Sequence, residues 1–312
     1  MTTVTAAPPA DSSTSRRRPD RGRRREVAAG YLFSLPFLAV FLVFTIGPVI
    51  ASFLMSFTDL RSADIRNPLA VGLVGLDNYA KLFTDETFHK AAFNTAYFVV
   101  VGVPLTMGLA LAVAVALDTG ITRFRAFFRV GYYLPVVTSI VAVAVVWRFL
   151  LQPDSGIVNT LLGYVGVEGP SWLRSETWAM PSLIAMSAWR NMGSLVIIFL
   201  AGLQVVPKEM HEAAAIDGAG AFGRFRHITL PMMRPTLLFG GVITMIGYLQ
   251  FFEEPFVMTR GGPLDSTLST AYYTYNQFGF GNYSYAAAMA YALFVVIALV
   301  TALQFKLLGP KD

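Results

Sequence analysis

The chain has 312 residues, 55% of them hydrophobic and 14% charged, with a formal net charge of +5 and a mean hydropathy of +0.56. A water-soluble domain carries about 25% charged residues, so the shortfall points to lipid as the surrounding solvent rather than to one or two soluble domains. Cysteine is absent, which excludes disulfides, thiolate nucleophiles and cysteine-ligated metals; the three histidines, His89, His211 and His227, all fall outside the apolar runs, which argues against a histidine proton relay inside a membrane.

Residues 1–29 are rich in Ser, Thr, Pro and Arg and read as a disordered basic tail. Seven of the 24 basic residues lie between Arg16 and Arg25, immediately before the first apolar run. That placement reads as a cytoplasmic flank that orients a membrane protein, not as a nucleic-acid patch. The next stretch, Gly30 to Met55, carries no charge. It exceeds the roughly 20 helical residues needed to cross a bilayer. It is too long for the core of a secretory signal and offers no convincing cleavage site, so it reads as an anchor.

Five further apolar runs follow, at about Ala92–Leu117, Val130–Leu151, Met180–Val205, Thr236–Met258 and Tyr285–Leu308. Lipid provides no water for unpaired backbone groups, so continuous helices are expected, with Pro36, Pro48, Pro104 and Pro135 as kinks. The fold class is therefore an all-α polytopic membrane protein with six transmembrane helices. Six spans place both termini on one side, together with segments 118–129 and 206–235. That side holds sixteen basic residues and the other six, which puts both termini in the cytoplasm. The expected organisation is a tail over 1–29, a six-helix domain over 30–308 and a short C-tail over 309–312.

The 206–235 loop is too organised for a plain connector. Pro207 opens it, Lys208 to Asp217 reads as a short helix, and Gly218-Ala219-Gly220 ends that helix. Phe222, Phe225 and Ile228 then recur at helical spacing before Pro231 and Pro235. Ala213, Ala214 and Ala215 allow close backbone approach to a partner, Met210 and Ile216 offer apolar anchors, and Gly218 permits a tight turn. Taken alone, the helix reads more readily as an ordinary amphipathic surface helix with Glu212 in water.

The spacing changes that balance. Three residues separate Glu212-Ala213-Ala214 from Gly218, and nine separate Gly218 from Ile228-Thr229-Leu230-Pro231. This resembles the EAA loop of permease subunits in binding-protein-dependent ABC importers of type I architecture, and with Ala201–Gln204 and Asp217–Ala219 it is similar to the carbohydrate branch that carries maltose or glycerol phosphate. The resemblance runs from Gly30 onward. Gly75-Leu76-Asp77-Asn78-Tyr79 with Asn94-Thr95 resembles the first external loop and the start of span two. Leu134-Pro135, Trp147, Gly156 and Asn159 resemble the third span and its exit, and Thr259-Arg260-Gly261-Gly262-Pro263 the turn after span five.

The resemblance implies a non-catalytic subunit that uses no cofactor and holds no metal. It implies a heterodimer with a second permease, two separate ATPase subunits and an extracellular solute-binding lipoprotein, in a bacterial inner membrane, with no nucleic-acid partner. No G-x-x-x-x-G-K-[ST] occurs, so nucleotide is bound by another polypeptide. Glu212, Ala213, Ala214, Gly218, Ile228, Leu230 and Pro231 become the residues that couple to the ATPase.

Charged groups inside a bilayer mark a pathway or an ion pair. Arg190 in span four and Glu253 and Glu254 near the outer end of span five are such groups, either paired across a translocation cavity or lying in interfacial water. A sugar requires hydrogen-bonding side chains and an aromatic face, which Trp189, Arg190, Asn191 and Ser194 offer together with Tyr248 and Gln250. By similarity to the maltose permease, Ser187, Arg190, Asn191, Ser194, Gly247 and Gln250 inherit the candidacy for substrate contact. Arg190 and Asn191 depart from the residues found there in that protein, which sets maltose itself in doubt. The aromatic run Tyr272, Tyr273, Tyr275, Phe278, Phe280, Tyr283 and Tyr285 is expected to form mostly an interfacial belt. Two rival readings remain. A gradient-driven carrier predicts midplane carboxylates and inverted repeats, and no convincing repeat is found. A membrane-embedded enzyme needs a nucleophile–base pair or metal ligands within the spans.

Overall fold

A computed structural model of the chain describes residues 21–66, 71–119 and 125–309. The first twenty residues of the basic tail, positions 120–124 and the C-tail beyond Gly309 lie outside the described residues. Among the described residues the regular structure is helical, apart from an isolated bridge between Thr58 and Leu73. The chain divides into two compact units, residues 1–52 and 53–312.

In the first unit, α1 (Arg21–Phe41) starts within the tail expected to lack structure and carries Pro36 in its interior. It runs through a π-helical turn at Leu42–Ile46 into α2 (Gly47–Met55). Tyr31, Leu32, Phe33 and Phe37 are exposed. From Val27 to Met55 the helical stretch carries no charge, and such a stretch with apolar side chains turned outward is stable in hydrocarbon and not in water.

The second unit begins with α3 (Asp77–Leu82) and α4 (Glu86–Thr119), followed by α5 (Arg125–Val137), α6 (Ile140–Leu150) and α7 (Ile157–Tyr164). Then come α8 (Glu176–Gln204) and the loop helices α9 (Lys208–Ile216), α10 (Ala221–Arg224) and α11 (Leu230–Met232). The chain ends with α12 (Arg234–Leu249), α13 (Glu253–Met258), α14 (Thr270–Gly279) and α15 (Tyr283–Leu308). Among the described residues four stretches are long and apolar enough to cross a membrane: Ala29–Met55, Glu86–Asp118, Glu176–Gln204 and Tyr283–Leu307. With each of two bent helix pairs counted as one span the number is six.

Both bent pairs depart from the expected continuous, proline-kinked helices. The third span folds by 106° between Val137 and Ile140, at Thr138-Ser139 and not at Pro135, which lies within α5. The fifth span begins with a 69° bend between α11 and α12, and its helix stops at Leu249 before restarting at Glu253. A membrane protein tolerates such breaks only where protein or a cavity receives the freed backbone groups. Here Ser269 Oγ donates to the Phe251 carbonyl at 2.7 Å.

Helix α8 is the centre of the bundle, with Leu183, Met186, Ser187, Ala188 and Phe199 fully buried. It packs chiefly along α4 and also against α5 and α12. Small residues set the spacing, because dispersion rather than water exclusion binds helices in lipid. A Cβ on Gly102 would lie 2.8 Å from the Tyr248 ring, and one on Gly193 would lie 2.1 Å from the Tyr132 carbonyl oxygen. Two apolar clusters result. One gathers Phe98, Leu183 and Phe251, whose Phe98 and Phe251 rings stack at 3.9 Å; the other gathers Ala110, Val196, Phe199 and Met233.

The short motifs quoted from the sequence have local structural work. Asn78 Nδ2 donates to the carbonyls of Ser56 and Thr58, and Tyr79 OH shares a 2.7 Å hydrogen bond with Ser56 Oγ. Asn94 Nδ2 donates to the Asp265 and Leu268 carbonyls, while Thr95 Oγ1 accepts from the Thr270 amide. Asn159 donates to the Pro153 carbonyl and accepts from Trp172 Nε1 at 2.6 Å. These contacts clip the loops after α6 and after α13 to the bundle. The turn at Arg260–Asp265 uses left-handed backbone at Arg260, Gly261, Leu264 and Asp265, which the Asn94 and Thr267 hydrogen bonds hold in place.

Candidate functional site

Two regions contain the candidate residues. In the first, Pro207 stands just before α9 as its N-cap. The helix ends at Ile216 because Gly218 takes a left-handed φ of +83°. The Gly218 amide then donates to the Ala215 carbonyl and the Ala219 amide to the Ala214 carbonyl, at 3.1 and 2.8 Å. This double backbone closure satisfies the last carbonyls of the helix and requires a residue without a Cβ penalty. Glu212 and Ala213 are exposed, as are Met210 and Ile216, the latter at 88%. The second half of the loop behaves differently. Ile228 packs against the cluster of Val196, Phe199 and Met233, Thr229 is buried, Leu230 is half-buried and Pro231 exposed. The loop is thus anchored through Ile228 and presents α9 outward.

The second region is a cavity of about 360 Å³ between α8, α12 and the break before α13. Arg190, Asn191, Ser194, Gly247, Tyr248, Gln250, Glu253 and Glu254 all line it. Ser187 lies behind this wall and donates to Glu254 Oε1 at 2.9 Å. Helix α8 places Arg190, Asn191 and Ser194 along one side, and the interruption at Gln250–Phe252 lets Glu254 turn inward, where it is 5% exposed. No ion pair joins Arg190 to either glutamate among the described residues. The guanidinium instead donates from Nη1 to Asn191 Oδ1 at 3.1 Å. Arg190 Nε and Glu254 Oε2 are buried without a hydrogen-bond partner. A buried donor and a buried acceptor left open cost free energy that a polyhydroxylated ligand would recover.

The aromatic candidates separate. Tyr248 is 4% exposed, donates or accepts with Thr106 Oγ1 at 2.7 Å and packs on Phe98, so its phenol belongs to the bundle. Trp189 does not line the cavity and packs against Trp147 with ring centroids 5.8 Å apart. The aromatic run divides in the same way. Tyr275, Phe278 and Phe280 are exposed, as a belt requires, while Tyr272 and Tyr285 are buried.

One polar cluster was missed by sequence reasoning. Asp85 Oδ1 accepts from the Phe88 amide at the start of α4, and Oδ2 accepts from Tyr273 OH at 2.8 Å and Tyr285 OH at 2.6 Å. Burial pushes the Asp85 carboxyl up, but the hydrogen bonds from Tyr285, the Phe88 amide and Tyr273 outweigh it and hold the group below the ordinary carboxylate range. Tyr273 is pushed up to about 12 by burial and by the Asp85 hydrogen bond and charge. An acidic residue just ahead of a helix is a recognisable cap, but its tyrosine partners lie nearly two hundred positions away.

Four apolar spans and two bent pairs among the described residues, with an outward-facing helical loop and a polar cavity at a helix break, define a polytopic transport-type membrane protein. The chain belongs to the family of binding-protein-dependent transport system inner membrane components, whose pattern it matches over residues 102–311. It is 38% identical to the probable ABC transporter permease protein YesP of Bacillus subtilis, with 92% of each chain covered. It is 34% identical to the arabinooligosaccharides transport system permease protein AraP of the same organism, over 90% of this chain and 89% of that one. It is 35% identical to the lactose transport system permease protein LacF of Rhizobium radiobacter, over 88% and 92%. Among solved structures it is similar to a bacterial ABC transporter that imports the acidic polysaccharide alginate, with a TM-score of 0.74, 25% identity and coverage of 91% of this chain and 98% of that one. A second structure of a bacterial alginate transporter, in complex with its pentasaccharide-bound periplasmic protein, gives a TM-score of 0.75 at 25% identity, over 90% and 94%.

Proposed function

We propose that this chain is one membrane-spanning subunit of a binding-protein-dependent sugar importer, and that it takes its energy from separate ATPase subunits through α9. The observation that carries this reading is the loop itself. An amphipathic, alanine-rich helix with a backbone-closed glycine turn stands largely exposed, while the segment after it packs into the core through Ile228. Such a helix receives a push from a docked partner and passes it to α8 and α12, the two helices that wall the cavity. Glu212 pairs with or caps the docking joint. Sugar permeases among the relatives and the sugar-bound partner of a structural neighbour support carbohydrate as cargo.

In this reading, Arg190, Asn191, Ser194, Gln250, Glu253 and Glu254 offer hydrogen bonds to sugar hydroxyls, Ser187 holds Glu254 in position, and Gly247 keeps the wall open. Both termini and the α9 loop face the cytoplasm, where ATP is available. A second permease subunit completes the pathway, and an external binding protein delivers substrate to the other side. The test is uptake of labelled oligosaccharides by cells expressing the full chain with its co-encoded subunits. Uptake that follows ATP depletion and survives collapse of the ion gradient supports the reading; uptake that follows the gradient alone overturns it. The gradient-driven reading has one observation in its favour, the buried carboxylate of Glu254.

A further inference from the structure

A second cleft, of about 360 Å³, lies at the opposite end of the bundle from α9, between the end of α6, the segment before α8 and the end of α13. It shares no residue with the cavity around Arg190. Its polar lining comes from Arg148, Gln152, Arg174 and Thr259, and no described carboxylate borders it. Arg148 uses one donor on the Val257 carbonyl, at a long 3.3 Å, which leaves most of its guanidinium uncommitted. Arg174 has no side-chain partner among the described residues.

Helix ends attract a basic residue on their own, since the terminal carbonyls carry partial negative charge, and a single arginine at a span end also snorkels toward water. Neither effect accounts for a second arginine, brought from beyond α7 to the same cleft with no acidic neighbour. Two guanidinium groups lining one cleft that no described carboxylate borders can both turn to a single oxyanion, which they would hold through paired, charge-assisted hydrogen bonds. The rest of the surroundings is apolar. Val145, Phe149 and Leu173 line the cleft, and on α6 Phe149 is 63% and Val146 55% exposed. A polar pocket at the end of a span, continuous with an exposed apolar helix face, has the make-up of a phospholipid: charged head above, acyl chain along the helix.

We propose that Arg148 and Arg174 form a binding site for a phosphodiester oxyanion, supplied by the headgroup of an anionic phospholipid whose acyl chain runs along Val145 and Phe149. Gln152 and Thr259 complete the shell as neutral hydrogen-bond partners. The site fixes the loop after α6 against the end of α13, and α13 begins at the glutamates of the other cavity, so lipid composition would tune the geometry of that wall.

The test uses the full chain, purified with the subunits it assembles with, stripped of loosely held lipid and titrated with phosphatidylglycerol or phosphatidylcholine under native mass spectrometry. The wild type should hold one phosphatidylglycerol in clear preference to phosphatidylcholine, and Arg148→Gln with Arg174→Gln together should weaken it roughly ten- to thirtyfold. Arg260→Gln, which removes an arginine outside the cleft, should leave binding unchanged. If the double variant fails to assemble, each single variant should show part of the loss. Inorganic phosphate binding with the same dependence on both arginines, but no lipid preference, would keep the oxyanion site and reassign its source to free anion. Equal retention of phosphatidylglycerol by wild type and by the arginine variants overturns the proposal.

Discussion

The two ends of the bundle treat their polar and aromatic side chains in opposite ways. Around Asp85, hydroxyls, amides and a carboxylate are tied to each other: Tyr273 and Tyr285 donate to Asp85, Gln277 to Tyr273, and Asn282 to Gln277. Around α9, by contrast, Met210, Ile216, Phe222 and Glu212 are exposed, and the turn is closed by backbone hydrogen bonds from Gly218 and Ala219. The first end is a frame that locks α3, α4, α14 and α15 together. The second is a surface with exposed apolar side chains. Exposed apolar side chains on a short helix cost solubility unless a partner covers them, and the contrast supports the proposal that α9 docks a partner while the Asp85 end holds the frame.

Changes at the two ends should therefore separate transport from stability. The largest effect is expected at the coupling turn. Gly218→Val forces a β-branched residue into left-handed backbone, and Glu212→Lys reverses the charge on the docking face; each should lower uptake roughly 5- to 150-fold, the usual range of a coupling free energy. Labelled-sugar uptake at matched membrane levels checks this, and undiminished uptake in both variants would remove α9 from the mechanism. The cavity comes next. Glu254→Gln keeps the shape but replaces a carboxyl oxygen with an amide nitrogen, and should raise the half-saturating sugar concentration roughly tenfold, as expected when a buried hydrogen-bonding group is left unmatched. Ser187→Ala should show a smaller rise in the same direction, because Ser187 acts through Glu254.

At the frame the expectation reverses, with stability lost and the coupling turn untouched. Asn94→Ala removes two donors to buried carbonyls and should cost about 2 kcal/mol, read as a lower thermal unfolding midpoint in detergent. Asp85→Asn should be smallest, at about 1 kcal/mol once solvent screening is allowed for. The sign with pH follows from the direction of the shift. The folded-state carboxyl titrates lower than in the unfolded chain, so its contribution is present above about pH 4 and fades as pH falls through the folded value. The difference between wild type and Asp85→Asn should therefore shrink on acidification. A difference that grows instead would mean Asp85 is held protonated.

Apolar runs longer than a bilayer is thick, with few charges between them, were enough to specify six crossings, because lipid gives the backbone no alternative to helix. The α9 turn was legible for a similar reason. A glycine after an alanine-rich helix is a local signal, and the left-handed φ of Gly218 is a property of one residue and its two neighbours. Arg190, Asn191, Ser194 and Gln250 could be singled out because polar groups are conspicuous in apolar sequence, and the structure gathers them around one cavity. The sequence could not say how these groups pair. Arg190 turns to Asn191 and Glu254 to Ser187, choices that depend on where α12 breaks and on which face of α8 meets it. It likewise gave no means of dividing the aromatic run into members turned inward, of which Tyr273 and Tyr285 bind Asp85, and exposed ones, nor of placing the third-span bend at Thr138-Ser139 and not at Pro135. Hydrophobicity and turn chemistry act through neighbours in the chain and can be read along it. Hydrogen-bond partners more than a hundred positions apart, and the breaks that let them meet, exist only once the helices have packed.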